Sequence, residues 1–271
     1  MEAIKIYQVD AFTENAFRGN PAAVCILSSE LSEERMLDIA KEMNLSETAF
    51  VLGTDREDTY NLRWFTPKVE VALCGHATLS AAKIIFEEVN SRLNKINFIT
   101  KSGVLIAERQ ELGIKLDFPL DEPCDIEVSY ELLAALGLES YERAAIGKTT
   151  RKLILQIDDV EKVMTLKPDY EKMIRVNLKE RINGVAVTAK DGDKYDFISR
   201  YFNPWMGVNE DPVTGSVHTV LVNFWRRELH KEEMSAYQAS ERGGELSLKI
   251  NDSRVEIIGK SIIILKGELF I

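Results

Sequence analysis

The sequence predicts an α+β protein built as two similar lobes, each a set of strands wrapped around one buried helix. Two observations carry this. First, two helix-length segments are apolar on nearly every side. One runs through Leu79–Val89 with Leu79, Ala81, Ala82, Ile84, Ile85 and Phe86; the other is Val217–Arg226 with Val220, Leu221, Val222, Phe224 and Trp225. A helix that is hydrophobic all round has to be buried. Second, the chain repeats itself. Arg63-Trp-Phe-Thr-Pro67 resembles Arg200-Tyr-Phe-Asn-Pro204, and Asn20-Pro-Ala-Ala-Val24 resembles Asn183-Gly-Val-Ala-Val187. Each Arg-aromatic-Phe-x-Pro block is followed, 8 or 11 residues after its proline, by the glycine that opens an apolar helix, Gly75 or Gly215. Matched blocks in the same order point to duplication.

Ile4–Phe12 alternates as a strand does. Asn15–Asn20 is a loop, and Ala22–Leu27 is a short apolar strand. Ser32 is an N-cap, with Glu33 and Glu34 in the first turn of an amphipathic helix that reaches Met43. Strands follow at Glu47–Leu52 and Tyr60–Phe65, then the first apolar helix. Ile96–Thr100, Gly103–Arg109 and Gly113–Phe118 form a meander. Pro119–Pro123 is the expected linker. Beyond it come a helix Tyr130–Leu136 stopped by Gly137, a strand Lys152–Ile157, a helix near Asp169–Ile174, and strands Gly184–Lys190 and Asp196–Phe202. Asp211–Ser216 is a turn before the second apolar helix. Strands Glu245–Ile250, Arg254–Gly259 and Ser261–Leu265 close the chain. The expected division is residues 1–118 plus 261–271 in the first lobe and 119–260 in the second.

Composition narrows the partners. Apolar residues make up 45% and charged residues 29%, the balance of a globular protein with a sizeable core. A net charge of −10 argues against nucleic acid or an anionic membrane, both of which need clustered Lys and Arg. The three cysteines, Cys25, Cys74 and Cys124, have no C-x-x-C spacing and fit a reducing compartment. The first ten residues read as a strand, not a signal peptide, and no apolar run approaches the ~20 residues of a membrane span. The expected location is the cytoplasm.

Several residues could carry chemistry. The helix starts Gly75-His76-Ala77-Thr78 and Thr214-Gly215-Ser216-Val217 are small and polar, and helix N-termini favour anions; simple capping by Thr214 or Ser216 is the alternative. Glu47 heads an apolar strand, where desolvation would raise its pKa and suit an acid/base role; a surface glutamate at a strand end is the alternative. Asp211 is either a turn residue of Asp-Pro or a group that orients His76 or a substrate amine. His76, His218 and His230 lack the i, i+4 spacing of a helical metal pair, so no metal is expected. Cys74 precedes a helix N-terminus, which favours a thiolate; an inert buried cysteine is the alternative. Ala145-Ile-Gly-Lys-Thr149 ends like a phosphate loop, but position 142 is Glu142 where the motif needs glycine. There is no G-x-G-x-x-G and no G-x-S-x-G, which argues against a nucleotide cofactor and a serine hydrolase.

Asp10-Ala-Phe-Thr through Gly19-Asn-Pro-Ala-Ala-Val24, Leu45-Ser-Glu-Thr-Ala-Phe50, Arg63-Trp-Phe-Thr-Pro67, Cys74-Gly-His-Ala-Thr78 and Asp211-Pro-Val-Thr-Gly-Ser216 together resemble the PhzF-like proteins of phenazine biosynthesis. The resemblance implies a fold similar to diaminopimelate epimerase, two pseudo-equivalent lobes of curled, mostly antiparallel sheet around a central helix, with the site between them. It implies a homodimer, no cofactor and a small carboxylate substrate; in the phenazine pathway the family member isomerises a dihydro-hydroxyanthranilate. It assigns Glu47 as the catalytic acid/base and His76 and Asp211 as its catalytic partners. Asn20, Ser46, Gly75, Ala77, Thr214, Gly215 and Ser216 fall within the matching blocks as substrate-binding positions. Diaminopimelate epimerase uses two opposed cysteines. Cys74 stands at the first, while the second motif offers Pro212 and no thiol, which disfavours a two-thiol racemase. Val217-His218 also departs from the family pattern. The expected function is a cofactor-independent isomerase that moves a proton between carbons. A one-base amino-acid epimerase or racemase and a non-catalytic metabolite-binding protein are the alternatives.

Overall fold

The structure is a computed structural model that describes residues 3–178 and 180–271. The chain divides into two compact units, Met1–Phe118 with Glu256–Ile271, and Pro119–Val255. In unit 1 the elements run β1 (Ala3–Ala11), β2 (Asn20–Leu27), α1 (Glu33–Met43), β3 (Glu47–Gly53), β4 (Thr59–Phe65), β5 (Glu70–Val71), α2 (Gly75–Ile84), β6 (Lys95–Thr100), β7 (Gly103–Gln110) and β8 (Gly113–Pro119). Ser32 caps α1 through the Arg35 amide, and Asn44 ends it in the left-handed conformation. A π-helical segment, Ile85–Val89, extends α2.

Unit 2 runs β9 (Pro123–Asp125), α3 (Tyr130–Leu136), β10 (Arg143–Gly147), β11 (Leu153–Gln156), α4 (Val160–Thr165), α5 (Tyr170–Arg175), β12 (Val185–Lys190), β13 (Phe197–Asn203), β14 (Val208–Asp211), α6 (Gly215–Leu229), β15 (Glu233–Gln238) and β16 (Gly244–Asn251). Gly137 stops α3 at φ 79°, as its position predicts. β17 (Arg254–Gly259) and β18 (Ser261–Phe270) return the chain to unit 1. The return begins at Glu256, earlier than the expected Ser261. The reason is pairing. β17 joins β8, and a Cβ on Gly113 would lie 2.4 Å from the Gly259 carbonyl oxygen, so these strands lie closely together.

The duplication is written in the strand pairing. β2 runs parallel to β3, as β11 does to β12. β4 is antiparallel to β3 and parallel to β6; β13 is antiparallel to β12 and parallel to β15. A crossover helix fills each of these parallel gaps. The register makes Arg63 equivalent to Arg200, since Thr48 faces Phe65 and Val185 faces Phe202. Both arginines stack 5.1 Å over a phenylalanine, Phe65 or Phe202, and both grip a glutamate on the next strand, Glu70 or Glu210. The other sequence match is out of phase. Asn20 opens β2 whereas Asn183 precedes β12, the equivalent of β3. The match joins neighbouring strands because both have the small-apolar pattern of a buried strand.

Each sheet curls around its apolar helix. α2 packs on β1, β2, β3 and β18, while from β17 a Cβ on Gly259 would come 3.3 Å from Leu79 of the same helix. α6 touches β9 and β16. Between those contacts, Trp225 donates to Thr188 of β12 at 3.1 Å and stacks on Phe197 of β13. Leu79, Ala81, Ala82 and Ile84 of α2, and Val220, Leu221, Val222, Phe224 and Trp225 of α6, are fully buried. Among the described residues, no helix is long and apolar enough to cross a membrane.

Candidate active site

Unit 1 gathers Asn20, Ser46, Glu47, Cys74 and His76 around the start of α2. Gly19 makes the approach possible. It sits at φ 65°, and a Cβ there would lie 2.1 Å from the Ala11 carbonyl oxygen, so only glycine lets β1 turn into β2. Asn20, fully buried, then opens β2 with its amide nitrogen 3.2 Å from Nδ1 of His76. Glu47 opens β3 in parallel register with Ala22. Its Oε2 lies 3.1 Å from Nε2 of His76. Ser46 donates to Oδ1 of Asn20 at 3.4 Å and stands 3.4 Å from the same histidine nitrogen. Cys74 Sγ is 3.6 Å from Nδ1. Gly75 and Ala77 are buried in the first turn.

The electrostatics reverse one expectation. Burial does push the Glu47 carboxyl upward, but His76, Ser46 and Cys74 outweigh it and hold its pKa below the usual carboxylate value. Burial opposes charge on His76, yet Cys74 and Glu47 raise its pKa well above the ordinary histidine value. Burial and the Glu47 carboxylate keep the Cys74 thiol protonated, with His76 and the Ala77 amide only partly offsetting them; the helix start does not make a thiolate here. Glu47 and His76 therefore form a buried carboxylate–imidazolium pair.

The pair ties stability to pH in two directions. Glu47, depressed in the fold, contributes above its unfolded pKa and loses that contribution as pH falls through the folded value. His76, raised, contributes fully below its unfolded pKa and loses it as pH rises through the folded value. We predict by ¹⁵N NMR that His76 titrates well above the usual histidine range and that Glu47→Gln lowers its pKa. His218, buried against Phe197 with Nδ1 2.8 Å from the Thr214 carbonyl oxygen, is pushed down to about 4 by burial and is neutral where His76 titrates. A His76 signal that titrates in the ordinary range would remove the pair.

Among the described residues, Glu47, Cys74 and His76 bring one ligand atom each within 4.8 Å of one another. That donor set would suit zinc. Here the imidazole already joins the other two, through Nε2 to Glu47 and Nδ1 toward Cys74, so hydrogen bonding accounts for their proximity.

Unit 2 gathers Asp211, Thr214, Gly215 and Ser216 around the start of α6. The Thr214 hydroxyl donates to Asp211 Oδ2. Neither Thr214 nor Cys74 caps its helix through its side chain, which removes simple capping by Thr214 as the role of this hydroxyl. Helix position makes Thr214 the equivalent of Cys74, where Pro212 was expected, and the position still has no thiol. Register makes Gly184 the equivalent of Glu47 and Val71 the equivalent of Asp211. Each unit thus carries acids the other lacks.

Sequence reasoning missed Gln238. Fully buried at the end of β15, it accepts from the Thr214 amide at 2.9 Å and donates to the Asp211 carbonyl at 2.7 Å. It also missed the half-buried Lys152, which donates to the Tyr201 hydroxyl at 2.8 Å. The alternation of buried Met234, Ala236 and Gln238 was the available signal for a strand here.

The model of the phenazine biosynthesis-like protein family (PhzC-PhzF) matches residues 9–267. An uncharacterized isomerase of Halalkalibacterium halodurans is 43% identical, with 100% of each chain covered. Phenazine biosynthesis-like domain-containing protein 1 of Mus musculus is 43% identical over 98% of this chain and 99% of its own. The crystal structure of a PhzF-family phenazine biosynthesis protein from Enterococcus faecalis superposes with a TM-score of 0.93 at 40% identity, covering 100% of both chains. With its pairing repeat, its two enclosed helices and these relatives together, the chain belongs to the PhzF-like family of phenazine biosynthesis-like proteins, with the diaminopimelate epimerase-like fold.

Proposed function

We propose that this protein is an isomerase that moves a proton between carbons of a small carboxylate substrate, with Glu47 as acid/base and no cofactor. The isomerase class is carried by the relatives. The observation that supports the mechanism is the Glu47–His76 pair. A base must start ionised, and His76 keeps Glu47 so. Its side chain is 19% exposed, so a substrate can reach it and strip its remaining water, which raises its basicity at the moment of transfer. Glu47 takes a proton from a carbon made acidic by a neighbouring carbonyl or unsaturated group, and the carboxylic acid so formed returns it to another carbon. His76 stays protonated and offsets the negative charge that develops. Asp211, oriented by Thr214, is the second polar group of the reading, and the first-turn amides of α2 and α6 favour a carboxylate. A homodimer belongs to the same proposal, to be read by light scattering.

Hydrogen–deuterium exchange tests it. The purified protein is incubated in deuterated water with small cyclic and amino-acid carboxylates, including dihydro-hydroxyanthranilate, and followed by NMR. Deuterium entering a carbon position is expected. Binding without exchange across the panel favours a metabolite-binding protein instead.

Cys74 separates the isomerase from a cysteine-assisted epimerase. We expect Cys74→Ser to keep turnover within about tenfold, because the thiol is held protonated, whereas loss of a working acid/base group costs about 10²–10⁴-fold. A Cys74→Ser enzyme that is dead but folded would shift the assignment to the epimerase.

A further inference from the structure

We propose that Lys152, in unit 2, is the anchor for a carboxylate of the ligand this protein takes up. Lys152 stands just before β11. Its Nζ donates to the Tyr201 hydroxyl at 2.8 Å, and that hydroxyl donates in turn to the Asn183 carbonyl. The phenol's proton is therefore committed, and its lone pair faces the amine. Gly184 makes the arrangement possible: a Cβ there would lie 2.3 Å from the Tyr201 hydroxyl oxygen. Gly184, Tyr201 and Lys152 act as one unit, and register places Ala22 where unit 1 would need the lysine.

An ammonium has three donors, and Tyr201 meets one. Among the described residues Lys152 has no ion-pair partner. The two carboxylates that influence it are engaged elsewhere. Asp121 accepts from the Thr149 and Thr150 amides, both at 3.0 Å, and from the Thr150 hydroxyl at 2.6 Å. Asp211 accepts from Thr214. Burial lowers the pKa of Lys152 to about 8, against the pull of Asp211 and Asp121. Lys115 shows the contrasting case. It is held 2.6 Å from Glu108 and 3.0 Å from Glu256, and its pKa is raised although burial opposes that.

A half-buried cation whose remaining donors no described residue takes is stabilised when a counter-charge arrives. An entering oxygen anion would take those donors in charge-assisted bonds. The nearby Asp211 and Asp121 repel further negative charge, so a carboxylate, singly charged, fits better than a phosphate near two charges. The inference deepens the isomerase reading by adding a side-chain cation to the groups that favour the substrate's acidic group, and it rests on that reading only in taking the ligand to be the substrate.

The test uses benzoate, with benzamide and inorganic phosphate as comparisons. Affinities are measured by NMR titration of the full chain with ¹⁵N-labelled lysine side chains; the Lys152 signal is assigned by its loss in Lys152→Met. We expect benzoate to shift that signal and to bind more tightly than benzamide or phosphate. Lys152→Met should weaken benzoate about tenfold or more, the scale of a charged hydrogen bond, and leave benzamide unchanged. Melting curves and a second variant, Lys152→Gln, check that the fold survives. Equal benzoate affinity in wild type and Lys152→Met, or no benzoate binding by wild type, overturns the anchor. Lys152-dependent binding with no carbon exchange in any compound would instead sink the acid/base reading and leave the anchor standing.

Discussion

Replacing Glu47 by Gln is expected to lower carbon–proton exchange by about 10²–10⁴-fold, the usual worth of one positioned acid/base group, and to leave the protein folded and able to bind its ligand. Glutamine fills the same volume at the start of β3 and can still accept from Nε2 of His76, so the contacts among Ser46, Asn20 and Cys74 survive. What is lost is the charge. Without the carboxylate, Cys74 alone is left to oppose the effect of burial on His76, and its pKa falls. The variant therefore has two signatures: loss of exchange and a histidine that titrates lower. Deuterium incorporation at the wild-type rate in a folded Glu47→Gln protein would remove Glu47 from the mechanism. A lost rate with an unmoved His76 would mean that Glu47 acts without the pair.

The parts of this site legible in the sequence were those fixed by local chemistry. Glycine at positions 75 and 215, a cap at Ser32, a stop at Gly137 and two all-round apolar helices each leave a signature within a few residues. The acidity of Glu47 did not. Its position at the head of an apolar strand predicts a raised pKa, and burial does push that way. The opposing push comes from His76, Ser46 and Cys74, and His76 is brought there by the packing of α2 on β2 and β3, which no local pattern encodes. Strands β10 and β15 were missed for a related reason. Arg143–Gly147 and Glu233–Gln238 have little β-branched content and are strands because of their partners β11 and β16. The repeat was legible where arginine chemistry preserved it and out of phase where only small apolar residues carried it. The duplicated halves also diverged at the proposed site residues. Glu47 answers to Gly184, Asp211 to Val71 and Lys152 to Ala22, so symmetry alone would not have found a site residue in one unit from its equivalent in the other.

That divergence gives the second large effect, in the two equivalent arginines. Arg200→Met is expected to cost about 3–5 kcal/mol, the range for breaking a buried ion pair from one side. Arg200 is 8% exposed. It grips Glu210 with two bonds at 2.7 and 2.8 Å and gives Nη1 to the Leu166 carbonyl at 2.7 Å, with the Val163 and Met164 carbonyls also within reach. Methionine fills part of the space but strands a shielded carboxylate and the carbonyls that close α4. Arg63→Met removes the equivalent side chain from unit 1 and should cost only about 1 kcal/mol. Arg63 is 31% exposed at its side chain, bonds only to the carboxylates of Glu70 and Glu33 among the described residues, and leaves Glu70 still paired with Lys101. Urea unfolding of both variants, followed by tryptophan fluorescence, reads the difference directly. Equal losses would mean that the shared Arg–Glu grip, and not its burial or the carbonyls gained in unit 2, sets the stability of each lobe.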